Sequence, residues 1–342
     1  MTSESKTVGQ YTEKELIERI ASIIGKPKRR DILIGIGDDT AVVKGSGDSK
    51  LLYTSDMLVE EIHFDRSLIS PRTLGRRAMA VNLSDLAAMG AEPQYALVSL
   101  ALQSSYPMAE LEELYAGMVE MGNRFKVTII GGNLSSTGSQ MVIDLFLVGC
   151  TSGRIFTRSG AKVGDDIYVT GTLGGAHAGW LALEAYGNRA EKTYAELVKM
   201  HQEPIPRIKV SRLLADTDIV TSMTDISDGL STDLTHICSA SHVGANILWS
   251  QLPIHDLVHD FENMTGADTR LVVLDGGEDY ELLFTARPGS AKALAEIARR
   301  ARVPITAIGR IVPRNSGIRL VEGEKSSPIE AKGWSHFGAG NR

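Results

Sequence analysis

The sequence predicts an α/β chain folded as two domains, and three observations predict it. Strand-like apolar runs alternate with helical stripes in both halves. The 342 residues suffice for two domains of ordinary size. The 34 glycines supply the tight turns and close backbone approaches that short connections need. Apolar residues make up 43% and charged residues 23%, so a packed core is expected and global disorder is excluded.

The first element is a helix. Thr12 and Glu15 form a capping box, and Leu16, Ile17, Ile20, Ile23 and Ile24 form one apolar stripe that stops near Gly25 and Pro27. The basic run Lys26, Lys28, Arg29 and Arg30 reads as a solvated loop. Ile32 to Asp39 is an apolar run that ends in glycines and a carboxylate pair. Ala41 to Val43 and Leu51 to Ser55 are strands flanking a glycine turn. A long helix runs from about Arg72 to Met89, buried on most of its circumference because nearly all its residues after Arg77 are apolar or small. Tyr95 to Leu102 is a strand, and Met108 to Asn123 a helix with Leu111, Leu114, Tyr115 and Met118 inward. Val127 to Ile130 and Met141 to Gly149 are strands around the loop Gly131 to Ser136.

The break between domains falls near 151–164, giving an N-terminal domain of 1–150 and a C-terminal domain of 151–342. The second half continues with a strand at Asp166 to Thr170, a glycine turn at Gly171 to Gly175, and helices over Ala176 to Met200 and Arg207 to Asp216. A strand-to-helix unit spans Val220 to Ser241. Asn246 to Trp249, Tyr280 to Thr285 and Ile305 to Val312 are strands, and Ser290 to Arg300 is a helix.

Composition narrows the function. The net charge of -6 argues against a broad basic face for nucleic acid. Two cysteines, Cys150 and Cys238, are too few for a disulfide framework or a cysteine-based zinc site. No apolar run is long enough to span a membrane, and Met1 to Gln10 lacks the apolar core of a signal peptide, so a cytoplasmic protein is expected. There is no P-loop, no H-E-x-x-H and no G-x-S-x-G.

The informative feature is where the acids sit. Asp38, Asp39, Asp56, Asp225, Asp228, Glu278 and Asp279 lie beside glycines or at the ends of apolar runs. Ligands of open α/β sheets gather at such strand ends. Several carboxylates gathered there repel one another unless cations sit between them, and hard oxygen donors suit Mg²⁺. Thr54, Ser55 and Ser227 stand next to these acids and offer hydroxyls. The structural alternative is that each acid caps a helix or closes an Asx-turn. Asp85 lies inside the buried helix, three residues from Asn82 and on the same face. A buried carboxylate requires a partner, which is either Arg76 or Arg77, or a metal.

The residues alone thus reach an α/β protein that handles phosphates with Mg²⁺. Its motifs go further. Gly37-Asp-Asp-Thr-Ala41, Thr54-Ser-Asp56, Val81-Asn-Leu-Ser-Asp-Leu-Ala-Ala-Met-Gly-Ala91, Thr157-Arg-Ser-Gly-Ala-Lys162, Asp225-Ile-Ser-Asp-Gly-Leu230, Gly276-Gly-Glu-Asp-Tyr-Glu-Leu282 and Gly333-Trp-Ser-His-Phe337 occur in this order. Over nearly the whole chain this resembles the thiamine-monophosphate kinases. The resemblance implies the two-domain fold of aminoimidazole ribonucleotide synthetase and its relatives, with N-terminal sheets pairing across a homodimer. It implies transfer of the ATP γ-phosphoryl to thiamine monophosphate on several Mg²⁺ ions. It further implies Asp39, Thr54, Ser55, Asp56, Asp85, Asn133, Asp225 and Asp228 as metal-site residues. Gly132, Asn133, Arg158 and Ser227 would touch ATP, and His63, Glu278 and Trp334 the thiamine substrate. No general base is implied, because the acceptor is already an anionic phosphate. Two positions depart from the family. Asn133 stands where relatives carry aspartate, which removes a charge from the expected metal shell, and Thr54-Ser55 reverses the usual serine and threonine. Another ATP-using synthetase of the same superfamily, or a thiamine-phosphate- or nucleotide-binding protein with weakened catalysis, is the alternative.

Overall fold

The computed structural model describes residues 7–25, 29–334 and 336. Pro27, Lys26 and Lys28 of the basic run, the first residues of the polar N-terminus and Ser335 and Phe337 of the last motif lie outside the described residues.

The first half contains α1 (Glu13–Ile24), β1 (Ile32–Ile34), β2 (Ala41–Lys44), β3 (Lys50–Val59), α2 (Pro71–Ala88), β4 (Glu92–Leu102), α3 (Met108–Phe125), β5 (Thr128–Ser136) and β6 (Val142–Thr151). Its strands form a six-stranded sheet in the order β1-β2-β3-β6-β4-β5. All neighbours are antiparallel except β4 and β5. Alternation is strict along β6 and along β4 from Tyr95 onward. Ala96, Val98 and Leu100 of β4 and Ile143, Leu145 and Leu147 of β6 enter the core beneath α2 and α3. The helices meet where Gly75 and Gly117 let their backbones touch, since a Cβ at either glycine would overlap a carbonyl of the other helix.

Among the described residues, no helix packs on the other face of this sheet. Tyr53, Phe146 and Val148 are half-buried there, and Met57, Tyr95 and Leu97 are exposed. The helix α1 is capped by Thr12 and Glu15 as the sequence predicts, and ends at Gly25. Its stripe is largely exposed, with Ile17, Ile20, Ile23 and Ile24 all open to solvent.

The second half contains β7 (Asp166–Thr170), α4 (Gly175–Tyr186), α5 (Ala190–Thr193), α6 (Ala195–Gln202), α7 (Ile208–Ala215), β8 (Val220–Asp225), α8 (Leu230–Ser241), β9 (Gly244–Leu248), α9 (Asp256–Thr265), α10 (Thr269–Leu274), β10 (Leu282–Ala286), α11 (Ala291–Ala301), β11 (Ile305–Val312), β12 (Ile318–Glu322) and β13 (Lys325–Pro328). The seven-stranded sheet runs β13-β12-β9-β11-β7-β10-β8. Here both faces are covered. Tyr168, Met223, Leu282 and Phe284 join the core of the first half, whereas Ile167, Val169 and Leu283 join a second core. One continuous core therefore bridges the two sheets, with Ser211 of α7 donating to the Ala87 carbonyl of α2.

Two expectations need correction. The stretch Gly131 to Ser136 is not a loop but the continuation of β5, paired in parallel with β4. It reads as loop because an exposed edge strand carries no apolar alternation; only its neighbour declares it. The helical stretch from Ala176 to Met200 is broken into α4, α5 and α6, the first ending at Gly187 with φ 56°. The helices α9 and α10 and the strands β12 and β13 were not anticipated from periodicity.

Candidate active site

The site forms where β3, α2 and β8 converge. Period two along β3 sends Thr54 inward and Ser55 to the open face. Thr54 Oγ1 donates to Asp85 Oδ2 at 2.5 Å, linking the strand to the buried helix. Ser55 Oγ instead donates to Asp144 Oδ1 at 2.9 Å. One helical turn before Asp85, Asn82 Oδ1 accepts the Asp56 backbone N–H at 3.0 Å and so ties β3 to α2. Across the core, Ser84 Oγ donates to Asp225 Oδ2 at 2.5 Å, tying the end of β8 to the same helix.

Asp39, Asp85 and Asp225 come together. Each offers a carboxylate oxygen, and these lie within 4.8 Å of one another. Neither Arg76 nor Arg77 reaches Asp85. Arg76 pairs with Glu120 and Glu203, and Arg77 with Glu278. The arginine reading of Asp85 is thereby overturned: consecutive helical residues diverge by about 100°, and both guanidiniums leave toward other elements. The Asp39 side chain is 1% exposed. Its Oδ1 accepts from Arg158 Nε at 3.0 Å, Arg158 Nη2 at 2.5 Å and Thr224 Oγ1 at 3.1 Å. Its Oδ2 is buried and has no partner among the described residues. A buried carboxylate oxygen left unpaired is costly, the more so in a residue that lies beside two more carboxylates.

The electrostatics follow from that crowding. Burial, then the nearby Asp56, Asp225 and Asp39, push Asp85 well above the usual carboxylate range, against the Thr54 hydrogen bond. Burial, then Asp39, raise Asp225 to about 7, against the Ser84 hydrogen bond. Asp56 rises to about 6 through burial and Asp144, and Asp228 to about 6 through burial and Glu13. Burial works against the Arg158 cation, but Asp39 outweighs it and raises its pKa overall. These acids are arranged to be charged together only in the presence of positive charge.

Asp225, Ser227 and Asp228 lie on the turn from β8 into α8. Asp233, in the first turn of α8, holds that turn by accepting the N–H groups of Asp228 at 3.2 Å and Gly229 at 3.1 Å. The Asp228 carbonyl accepts the Trp334 N–H, and the Ser227 carbonyl accepts the Glu278 N–H. The C-terminal segment and the Gly276-Gly277 turn are thus strapped to the same acidic turn. His63 and His336 rings lie 4.9 Å apart, and Trp334 meets His336 edge-on at 5.7 Å. His63 and Trp334 therefore share one aromatic patch through His336. Glu278 is held beside it by Arg77 and His201.

Gly132 and Asn133 are not brought to the acids. Asn133 pairs with Ser99 on β4, in one row with Asp144 and Met57 on the open face of the sheet. Three strand spacings, about 14 Å, separate it from β3. Ser84, Thr224, Asp233 and His201 were missed by sequence reasoning, and Arg77 was considered only as a partner of Asp85. Ser84 was the most legible, lying beside Asp85 in the quoted motif. Asp279, noted for its glycines, caps a helix: its carboxylate accepts the N–H groups of Gly174 at 2.8 Å and Ala176 at 3.3 Å at the start of α4.

Comparison with known proteins agrees with this architecture. The AIR synthase related protein N-terminal domain matches residues 37–151, and the corresponding C-terminal domain matches residues 162–322. The chain is 37% identical over 335 residues to the thiamine-monophosphate kinase of Buchnera aphidicola subsp. Acyrthosiphon pisum, covering 96% of this chain and 99% of the relative. It is 36% identical over 314 residues to that of Escherichia coli K12, covering 91% and 94%. Among solved structures, AaThiL complexed with AMPPCP and TMP superposes with a TM-score of 0.84 at 33% identity, covering 98% of this chain and 100% of that one. Thiamine monophosphate kinase from Aquifex aeolicus gives a TM-score of 0.76 at 30% identity, covering 92% and 97%. Matched across both halves and nearly end to end, the chain belongs to the thiamine-monophosphate kinases of the AIR synthase related family.

Proposed function

We propose that the chain transfers the γ-phosphoryl group of ATP to thiamine monophosphate, yielding thiamine diphosphate. The observation that carries this reading is the carboxylate cluster Asp39, Asp85 and Asp225, in which Asp39 also keeps a buried oxygen, Oδ2, with no hydrogen-bond partner among the described residues. That donor set fits Mg²⁺, a hard cation that prefers oxygen ligands. Asp39, Thr54, Asp56, Asp85, Asp225 and Asp228 would hold it. When bound, Mg²⁺ neutralises the repulsion between two anionic phosphates and favours in-line displacement. Arg158 and Ser227 serve the nucleotide, Arg158 because a guanidinium matches phosphate oxygens in geometry. His63, Glu278 and Trp334 receive the thiamine moiety, Trp334 offering an aromatic surface to its rings. No side chain is assigned as a general base, since an acceptor phosphate arrives deprotonated. Direct transfer then depends on positioning and electrostatics.

The active form in this reading is a homodimer. An apolar sheet face carrying Tyr53, Phe146, Tyr95 and Leu97 suits an isologous contact with a second copy. Gly132 and Asn133 sit at the edge of that face, so a second copy is what they would meet. The free thiols of Cys150 and Cys238 fit a cytoplasmic enzyme.

The test is ADP formation with thiamine monophosphate, free thiamine and an aminoimidazole ribonucleotide precursor offered side by side. Turnover of thiamine monophosphate alone is expected, because the cluster needs an anionic acceptor. Comparable turnover of free thiamine would overturn the reading. Silence with all three at saturating Mg²⁺ and ATP would favour a binding protein.

A further inference from the structure

Arg77, in the middle of α2, is among the largest fully buried side chains, with 1% of its surface exposed. A guanidinium in that setting needs charge and hydrogen-bond partners. Its Nη2 donates to Glu278 Oε1, and its Nη1 stands 3.1 Å from His201 Nε2. His201 Nδ1 in turn stands 2.9 Å from Glu278 Oε2, off the line of a strong hydrogen bond. Arginine can only donate. Nε2 of His201 must therefore accept from Nη1, which leaves the ring proton on Nδ1, facing Glu278. Burial, then the charge of Arg77, lower the His201 pKa and keep the ring neutral. Arg77 of α2 and His201 of α6 thus form, with Glu278 after the Gly276-Gly277 turn, a closed ring of three side chains.

Glu278 is nonetheless not sealed, since its side chain is 30% exposed. Burial opposes its charge, but Arg77 and His201 outweigh burial and hold the carboxyl well below the usual range. The backbone is fixed as firmly. Glu278 and Tyr280 adopt left-handed φ values of 68° and 48°, and their N–H groups donate to Ser227 and Ile226 carbonyls at 2.8 and 2.9 Å. Non-glycine residues in that region cost free energy and persist only where surrounding contacts enforce them. Each carboxylate oxygen spends one interaction on the ring and keeps acceptor capacity for a ligand.

We propose that Arg77 and His201 are positioning residues that fix the Glu278 carboxylate in a single orientation for the thiamine moiety, setting substrate affinity without touching substrate. This rests on the reading of Glu278 as a thiamine contact. A carboxylate on a flexible stem binds more weakly than one already held, because ordering it is paid at the moment of binding.

The test is steady-state kinetics on His201→Ala, His201→Asn, Arg77→Lys, Glu278→Gln and the His201→Ala/Glu278→Gln double variant, with folding checked by thermal melting. His201→Ala is expected to raise KM for thiamine monophosphate about tenfold, with KM for ATP and kcat within about twofold. His201→Asn should recover most of that loss, because its amide can present an N–H toward Glu278 where Nδ1 now stands. The double variant should be no worse than Glu278→Gln, since the His201 effect runs through Glu278. If His201→Ala fails to fold, Arg77→Lys, which keeps the charge but loses the fork, carries the same test. A loss confined to KM for ATP or to kcat, or additive losses in the double variant, would overturn the positioning role. So would a clear effect of Glu278→Gln beside a silent His201→Ala. An unchanged KM for thiamine monophosphate in Glu278→Gln would instead overturn the assignment of Glu278, and the proposal with it.

Discussion

Arg158 joins the two halves of the chain at Asp39, donating from Nε and Nη2 to a single carboxylate oxygen at 3.0 and 2.5 Å. The segment that carries Arg158 is itself anchored. Ser241 Oγ donates to the Arg158 carbonyl at 3.2 Å and accepts the N–H groups of Gly160 and Ala161 at 3.1 Å each. A guanidinium so placed supplies positive charge directly beside the clustered acids.

Asp85→Asn should cost turnover by several kcal/mol, at least about 100-fold, because the amide brings no charge to a metal. Its oxygen can still accept from Thr54, and four crowded carboxylates become three. The melting temperature of the metal-free protein should therefore hold or rise. Enzyme assays and melting curves on the same sample decide it; an unfolded variant whose folded fraction keeps full specific activity would make Asp85 purely structural.

Stabilisation by Mg²⁺ should grow between about pH 5 and pH 8. Asp56, Asp225 and Asp228 have folded values raised to about 6, 7 and 6 from 3.8. Raised acids bind more protons in the folded state, so the metal-free protein loses their contribution as pH rises toward 7. Cation binding replaces those protons and removes the loss. Histidines with lowered values, such as His201, act in the opposite sense below about 6.5 but cancel in the difference with and without Mg²⁺. A melting shift independent of pH would mean that these acids do not hold the ion.

Trp334→Ala should weaken use of thiamine monophosphate by about 1–3 kcal/mol while sparing ATP. Trp334 is 44% exposed and touches His336, so its removal leaves little core to collapse. Equal losses for both substrates would point to a folding role for the C-terminal segment.

Leu97→Glu, on the open face of the first sheet, should convert a two-chain species into a one-chain species in sedimentation. The side chain is 37% exposed and stands in register with Phe146. A charge there should cost little in the isolated chain and much in an apolar interface. An unaltered mass of two chains would place the contact elsewhere.

The strongest local signals were enough for most elements. Thr12 and Glu15 marked the first helix because a capping box is written in four consecutive residues. The Asp166–Thr170 and Ile305–Val312 strands appear within the bounds their apolar runs predict. Of the strand-end acids, Asp39 and Asp225 come together with Asp85, whereas Asp279 caps α4 and Glu278 pairs with Arg77, a division that the local sequence does not mark. Local sequence could not say which oxygen meets which. That Thr54 turns to Asp85 while Ser55 turns to Asp144 follows from strand alternation plus the position of α2, and only the packed sheet supplies the second. Asn133 is separated from the acids because Gly131 to Ser136 pairs with β4, a contact between segments about 30 residues apart. Arg77, His201 and Glu278 meet from separations of 124 and 201 residues along the chain. Periodicity and capping are properties of neighbours in sequence, whereas pairing of buried charges is decided by whichever elements the core brings together.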